Sequence, residues 1–247
     1  MRNIVLALSI GAVIFAALFL PGLLDWGESL VPAILAAIVG YLVLARRTFK
    51  KVEAVFTEAA KALQSMPPKP DLAIKTMEKA YGYAGQQIGV RSQVDTQIGM
   101  IHFMQKEFNK AQPFLQRSAS FGHWMGGAML GVIYYKKKDH TRMRQTFEVV
   151  TKRGKKQSLA WTLYAYLLNQ IGARDEAMQV LSKGLKATKE DPKVKEALLA
   201  LQNNKKIKMR NLYKEQWYQF HLERPPAQQQ QVVGGGKVKK AARRGRW

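Results

Sequence analysis

The chain of 247 residues contains no cysteine, which excludes any disulfide framework and any thiolate chemistry. Acidic residues are scarce: 17 Asp and Glu stand against 40 Lys and Arg, a formal net charge of +23. A surface so short of acids attracts polyanions, whether nucleic acid, the acidic face of a partner, or anionic lipid. Strand-like alternation is absent from residues 52–220 and β-branched runs are few there, so that region reads as helix. The histidines His102, His123, His140 and His221 have no metal-ligand spacing among themselves or with acids. No G-x-S-x-G, P-loop or G-x-G-x-x-G occurs, and Gly234 to Gly236 lie outside any strand-to-helix context. The expectation is therefore a protein that is not an enzyme and needs no cofactor or metal.

Charge itself is missing from the start of the chain. Ile4 to Leu24 is a 21-residue uncharged run, and Leu30 to Ala45 a 16-residue one, separated by Asp25-Trp26-Gly27-Glu28-Ser29. About 20 apolar residues span a bilayer core as helix, so the two runs predict a transmembrane hairpin. The second run is short and is expected to borrow a turn from its flanks. Pro21-Gly22 suits the turn, and Trp26 is placed like an interfacial aromatic. Small residues at helical spacing, Ser9, Ala12 and Ala16 against Ala33, Ala36, Ala37 and Gly40, let the two helices approach closely. Arg2 precedes the hairpin and Arg46, Arg47, Lys50 and Lys51 follow it, whereas the link holds only acids. The positive-inside rule then puts both termini in the cytoplasm of a two-pass inner-membrane protein. Residues 46–247 carry 39 basic and 15 acidic residues, a net +24 held close to that membrane.

Gly and Pro cut residues 52–220 into helices of roughly a dozen residues, the texture of stacked helical hairpins. A period is visible. Ile98-Gly99-x-x-His102 precedes Phe108 and Ala111; Leu130-Gly131-x-x-Tyr134 precedes His140 and Met143; Tyr164-Ala165-x-x-Leu168 precedes Gly172 and Ala177. The small residue steps by 32 and then 34 positions, and 12 residues separate it from its second-helix counterpart each time. This resembles the tetratricopeptide repeat, with Leu115, Phe147 and Leu181 as second-helix apolar positions and a degenerate first repeat in residues 52–80. Met143, Pro113 and His102 depart from the family pattern.

The chain divides into a hairpin with a basic flank (1–51), repeats (52–190), capping and C-terminal helices (191–223) and a flexible polybasic tail (224–247), an all-α solenoid on a membrane anchor. Lys205 to Phe220 reads as one basic, aromatic helix that closes the array or lies on a membrane. The resemblance implies a groove lined by first helices that binds a protein partner, through Met100, Phe103, Met104, Met125, Val132, Tyr135, Lys136, Tyr166, Asn169 and Gln170. In the tail, Lys237, Lys239, Lys240, Arg243, Arg244 and Arg246 offer contacts to polyanions, lipid or RNA. The expected function is an adaptor or scaffold organising partners at the cytoplasmic membrane face. The alternatives are a nucleic-acid or ribosome tether using the basic surface and tail, and a structural subunit of a larger membrane assembly.

Overall fold

Pro21 and Gly22 stop the first helix where their chemistry requires it. In the computed structural model, which describes residues 1–119 and 122–225, α1 covers Arg2–Phe19 and Gly22 turns the chain at a φ of +72°. Helix α2 then runs unbroken from Trp26 to Gln64, 39 residues or about 58 Å. No Gly or Pro occurs between Tyr41 and Ser65, and the cluster Arg46-Arg47-Thr48-Phe49-Lys50-Lys51 carries charge without breaking the helix. Residues 51 and 52, the expected border between anchor and repeats, thus lie inside one helix.

The two helices pack through small residues. A Cβ built on Gly11 would stand 2.8 Å from the Ala33 carbonyl oxygen and 3.0 Å from Ala37 Cβ, and one on Gly40 would stand 3.1 Å from Ile10 Cδ1. Ala36 is half-buried beside them. The outward side chains stay bare: Val5, Leu8, Val13, Val31, Ile34 and Leu35 are all exposed. Both helices are long and apolar enough to cross a membrane, and little of the apolar stretch of either is buried.

Every regular element among the described residues is helical. The distal half of α2 pairs with α3 (Pro70–Glu78). A short 3-10 turn at Lys79–Tyr83 leads to α4 (Val90–Met104), which pairs with α5 (Phe108–Ser118). Two further hairpins follow, α6 (Trp124–Lys136) with α7 (His140–Arg153) and α8 (Ser158–Gln170) with α9 (Arg174–Ala187). The first helices α4, α6 and α8 lie side by side, and α10 (Pro192–Gln202), capped by Asp191 Oδ1 accepting from Lys193 N–H at 2.8 Å, covers α8 and α9.

Within each hairpin a small residue meets a large one. A Cβ on Gly99 would fall 2.8 Å from Leu115 Cγ, and one on Gly131 only 2.4 Å from Phe147 Cε2. Leu115, Phe147 and Leu181 are fully buried, as are Ala111, Met143 and Ala177. Met143 therefore occupies the place expected of an alanine without opening the core, because its thin, flexible chain fills an irregular gap. Phe147 also stacks on Tyr164 of the next hairpin, with centroids 5.0 Å apart and planes 3° from parallel.

Two polar clusters join elements distant in sequence. Asn3 Nδ2 donates to Thr48 Oγ1 at 2.9 Å and to Gln87 Oε1 at 3.2 Å, while Gln87 Nε2 donates to Tyr41 OH at 2.6 Å. The backbone N–H groups of Arg2 and Asn3 donate to Gly85 and Gln86, and the terminal amine also bonds Gly85. The start of the chain is thereby tied to the turn that opens α4. Further along, Asp95, 2% exposed, accepts from Tyr81 OH at 2.7 Å and from Arg117 Nη2 at 2.9 Å. Burial, and then the Asp95 carboxylate, push the Tyr81 phenol up to about 12.

The Gly131–Phe147 contact gives a direct test. Gly131→Ala is expected to destabilise the full chain in detergent by about 1–3 kcal/mol through overpacking. Adding Phe147→Leu should return part of that loss, read as a recovery of Tm over the single Gly131→Ala variant.

Candidate functional site

The face formed by α4, α6 and α8 is where first-helix side chains converge, and it is filled by the chain's own C-terminal segment. Lys205 to Phe220 is not one helix. Ile207 packs against the core, α11 covers Met209–Tyr213, Lys214 takes a left-handed φ of +47°, and α12 covers Glu215–Tyr218. The break at Lys214 redirects the chain so that aromatic side chains of both short helices face inward. Met209, Tyr213, Trp217 and Phe220 are all buried.

The segment crosses the first helices in reverse order. At α8, Tyr213 OH and Thr162 Oγ1 are hydrogen-bonded at 2.9 Å, and Trp217 meets Tyr166 edge to face with centroids 4.9 Å apart. At α6, Lys136 Nζ donates to the His221 backbone carbonyl at 2.8 Å and stands 5.2 Å from the Phe108 ring centroid. At α4, the His221 ring lies 5.5 Å from Phe103, whose own ring packs edge-on to Phe108.

The site is mostly apolar and basic. Burial holds the His221 imidazole below its ordinary range, and the Lys106 and Lys136 ammoniums push the same way against hydrogen bonding to the backbone of Met104 and Phe103. Lys136 is itself lowered by burial and by Lys106. Tyr166 is pushed up to about 12, first by burial and then by Glu223. The Trp217 indole N–H and His221 Nε2 are buried here with no hydrogen-bond partner among the described residues. Each such group costs roughly 1–3 kcal/mol of desolvation.

The expected groove residues have different surroundings. Phe103, Met104, Lys136 and Tyr166 come together around Trp217 and His221, by ring contact, backbone contact or hydrogen bond. Met100, Met125, Tyr135 and Asn169 are half-buried and Gln170 is exposed. Val132 and Phe103, expected on an open face, are fully buried: Val132 lies within the cluster that joins α6 to its neighbours, and Phe103 lies under Phe108 and His221. His102 faces away from this site, its Nδ1 2.7 Å from Glu107 Oε2 and its ring stacked on Phe114. In the sequence Trp217 and Phe220 stood out only as part of an aromatic stripe expected to close the array or lie on a membrane, and His221 was not part of it. The tail residues Lys237, Lys239, Lys240, Arg243, Arg244 and Arg246 lie outside the described residues. Among the described residues no group of three or more His, Asp or Glu is placed to hold a metal ion.

No protein-family model, curated protein or solved structure matches this chain.

The docked segment has a pH signature. His221 is held neutral, so its contribution to docking is whole above its ordinary value of about 6.5 and declines as the pH falls below it. A spin label on Glu223→Cys should become more mobile as the pH falls below about 6.5. In a His221→Phe background, which keeps the ring contact and removes the titration, the label should not respond in that window.

Proposed function

We propose that this protein is a membrane-anchored adaptor of tetratricopeptide type, which recruits or organises protein partners at the cytoplasmic face through its first-helix groove. The observation that carries the proposal is the occupied groove. A surface that binds residues 209–222 in cis, through aromatic anchors and a lysine bond to a backbone carbonyl, has the chemistry to bind a similar peptide in trans. The repeat reading is supported by hairpins in register with the 32- and 34-residue steps, with Gly99 against Leu115 and Gly131 against Phe147 in the first two.

The C-terminal segment then acts as a competitor that a partner displaces. Its fit is imperfect in ways that favour exchange: the indole N–H and the imidazole nitrogen are unpaired, and Lys136 is held below its ordinary range. The anchor reading is supported by the bare apolar flanks of α1 and α2 and by the acid-only link between them. Arg2, Arg46, Arg47, Lys50 and Lys51 all lie at the other end of the hairpin, which orients it with the array inside.

Two measurements test this. The cysteine-free background permits single-site labelling: a cysteine at Gly27 should react with an impermeant thiol reagent from outside intact cells, and one at Asn204 only after lysis. The reverse pattern would overturn the orientation. A labelled peptide of residues 207–223 should bind the full-length Trp217→Ala/Phe220→Ala variant at least about tenfold more tightly than the wild type, because the cis competitor is weakened. Equal binding to both would remove the groove from the function.

A further inference from the structure

Away from the groove, four lysines surround one tryptophan. Lys152 ends α7 and Lys155 sits in the turn that follows; Lys183 and Lys186 lie on one side of the last turns of α9. With Thr151, Trp161 and Ala187 they line an open depression of about 440 Å³. All four lysines are exposed. The Trp161 ring is fixed at the centre: its Nε1–H donates to the Lys155 carbonyl at 3.0 Å, and it lies so close to α9 that a Cβ on Gly184 would stand 2.7 Å from Trp161 Cγ.

None of these four ammoniums forms an ion pair among the described residues, although Glu148 lies one turn before Lys152 on α7. Residues 149–174 and 177–189 contain no Asp or Glu. The ion pairs of the described residues use Lys79, His102, Lys110, Arg117, Arg142 and Arg144, and none involves the four lysines. The opposite edge of the array behaves differently. There Lys110 and Arg142 pair with acids, Lys136 and Lys137 bond to His221 and Gln112, and Arg174 bonds to Asn204 and Leu201. Those basic side chains serve internal contacts; the four around Trp161 repel one another until an anion arrives. The C-terminal ends of α7 and α9 offset part of that repulsion but supply no ligand.

Position selects the anion. The depression lies on the edge where second helices end and first helices begin. At the other end of that edge, the turn before α4 bonds Met1, Arg2 and Asn3 through Gly85 and Gln86, and bonds Tyr41 through Gln87. That edge therefore runs from the membrane helices toward Trp161. Lysine and tryptophan are also the side chains that settle at a headgroup layer, with stems and ring in the apolar boundary and ammonium groups on phosphate.

We propose that Lys152, Lys155, Lys183 and Lys186, set around Trp161, form a headgroup-binding patch that docks the far part of the array onto the anionic surface of the bilayer. The proposal rests on the membrane-anchored reading above. Docking fixes the array at two points, α2 and this patch, and leaves the edge with the internally paired basic residues turned to the cytoplasm.

The experiment uses the full chain, with an environment-sensitive probe on Ala187→Cys, reconstituted into phosphatidylcholine vesicles with or without phosphatidylserine. The expected result is a probe buried at the headgroup layer only when phosphatidylserine is present. Raised salt, or Lys183→Glu with Lys186→Glu, should weaken that response on the order of tenfold or more. Trp161→Phe, which keeps an aromatic ring beside Gly184, should retain most of it. A probe that reports water equally in both vesicle types overturns the proposal. So does a probe that responds to single-stranded RNA added to the detergent-solubilised chain and not to phosphatidylserine, which would make the patch a nucleic-acid site. Alkaline carbonate extraction of the same vesicles reads the anchor separately: release of the chain refutes the spanning hairpin, while the lipid dependence of the probe still reads the patch.

Discussion

Helix α2 is the constraint on which the remaining architecture depends. It supplies one side of the apolar hairpin and, without a break, the first helix of the first pair in the array. A flexible linker at residue 51 would have let the array tumble beneath the membrane; a continuous helix fixes its direction. The Asn3–Thr48–Gln87–Tyr41 cluster adds a second tie, because it joins α1 and the turn before α4 to the middle of α2. These groups are buried near the end of the hairpin, where an unpaired amide would cost a few kcal/mol, so the cluster holds as a unit or not at all.

From that fixed start the array grows by one repeated device, a small residue on a first helix opposite a large one on its partner. The device sets how closely the helices approach, and the ring of Phe147 then passes the packing to Tyr164 in the next pair. The apolar core nonetheless falls into two clusters, one built on α2, α3 and α4 and one on the later helices. The buried Asp95 carboxylate, held by Tyr81 and Arg117, lies near that seam. An ion pair in such a place adds little net stability over apolar side chains of the same volume. Breaking it leaves a buried charge, so it acts chiefly to fix how the first part of the array meets the second.

Much of this was legible from residues alone, because it depends on local chemistry. Pro21-Gly22 ends a helix, Asp191-Pro192 starts one, and the spacing of Gly99 and Gly131 places Leu115 and Phe147 opposite them. What was not legible depends on partners remote in sequence. The charge cluster at 46–51 resembles a boundary, yet lysine and arginine are good helix formers and the helix continues. Asn3 is one polar residue at the head of an apolar run, and nothing nearby announces Thr48 or Gln87. Phe103 and Val132 were expected on an open face, and helical periodicity cannot say whether such a face is covered: the His221 ring that packs on Phe103 comes more than a hundred residues later. The left-handed turn at Lys214, at a residue with no special liking for that conformation, hides the route of the C-terminal segment.

The covered groove also bears on how an adaptor of this kind works. The C-terminal segment is joined to α10 by residues 203–208 alone, so it faces the groove at an effective concentration on the order of millimolar. A free partner at micromolar concentration starts about a thousandfold behind, and equal contacts do not close that gap. Anchoring changes the comparison. For the proposed adaptor, a partner in the same membrane would share the plane in which α2 holds the array, and confinement to that plane would raise its local concentration toward that of the cis segment. In the proposed adaptor the two halves of the chain, which look like separate inventions in the sequence, would thus depend on each other: a tether keeps the groove shut, and the hairpin would supply the proximity that lets a partner compete with it.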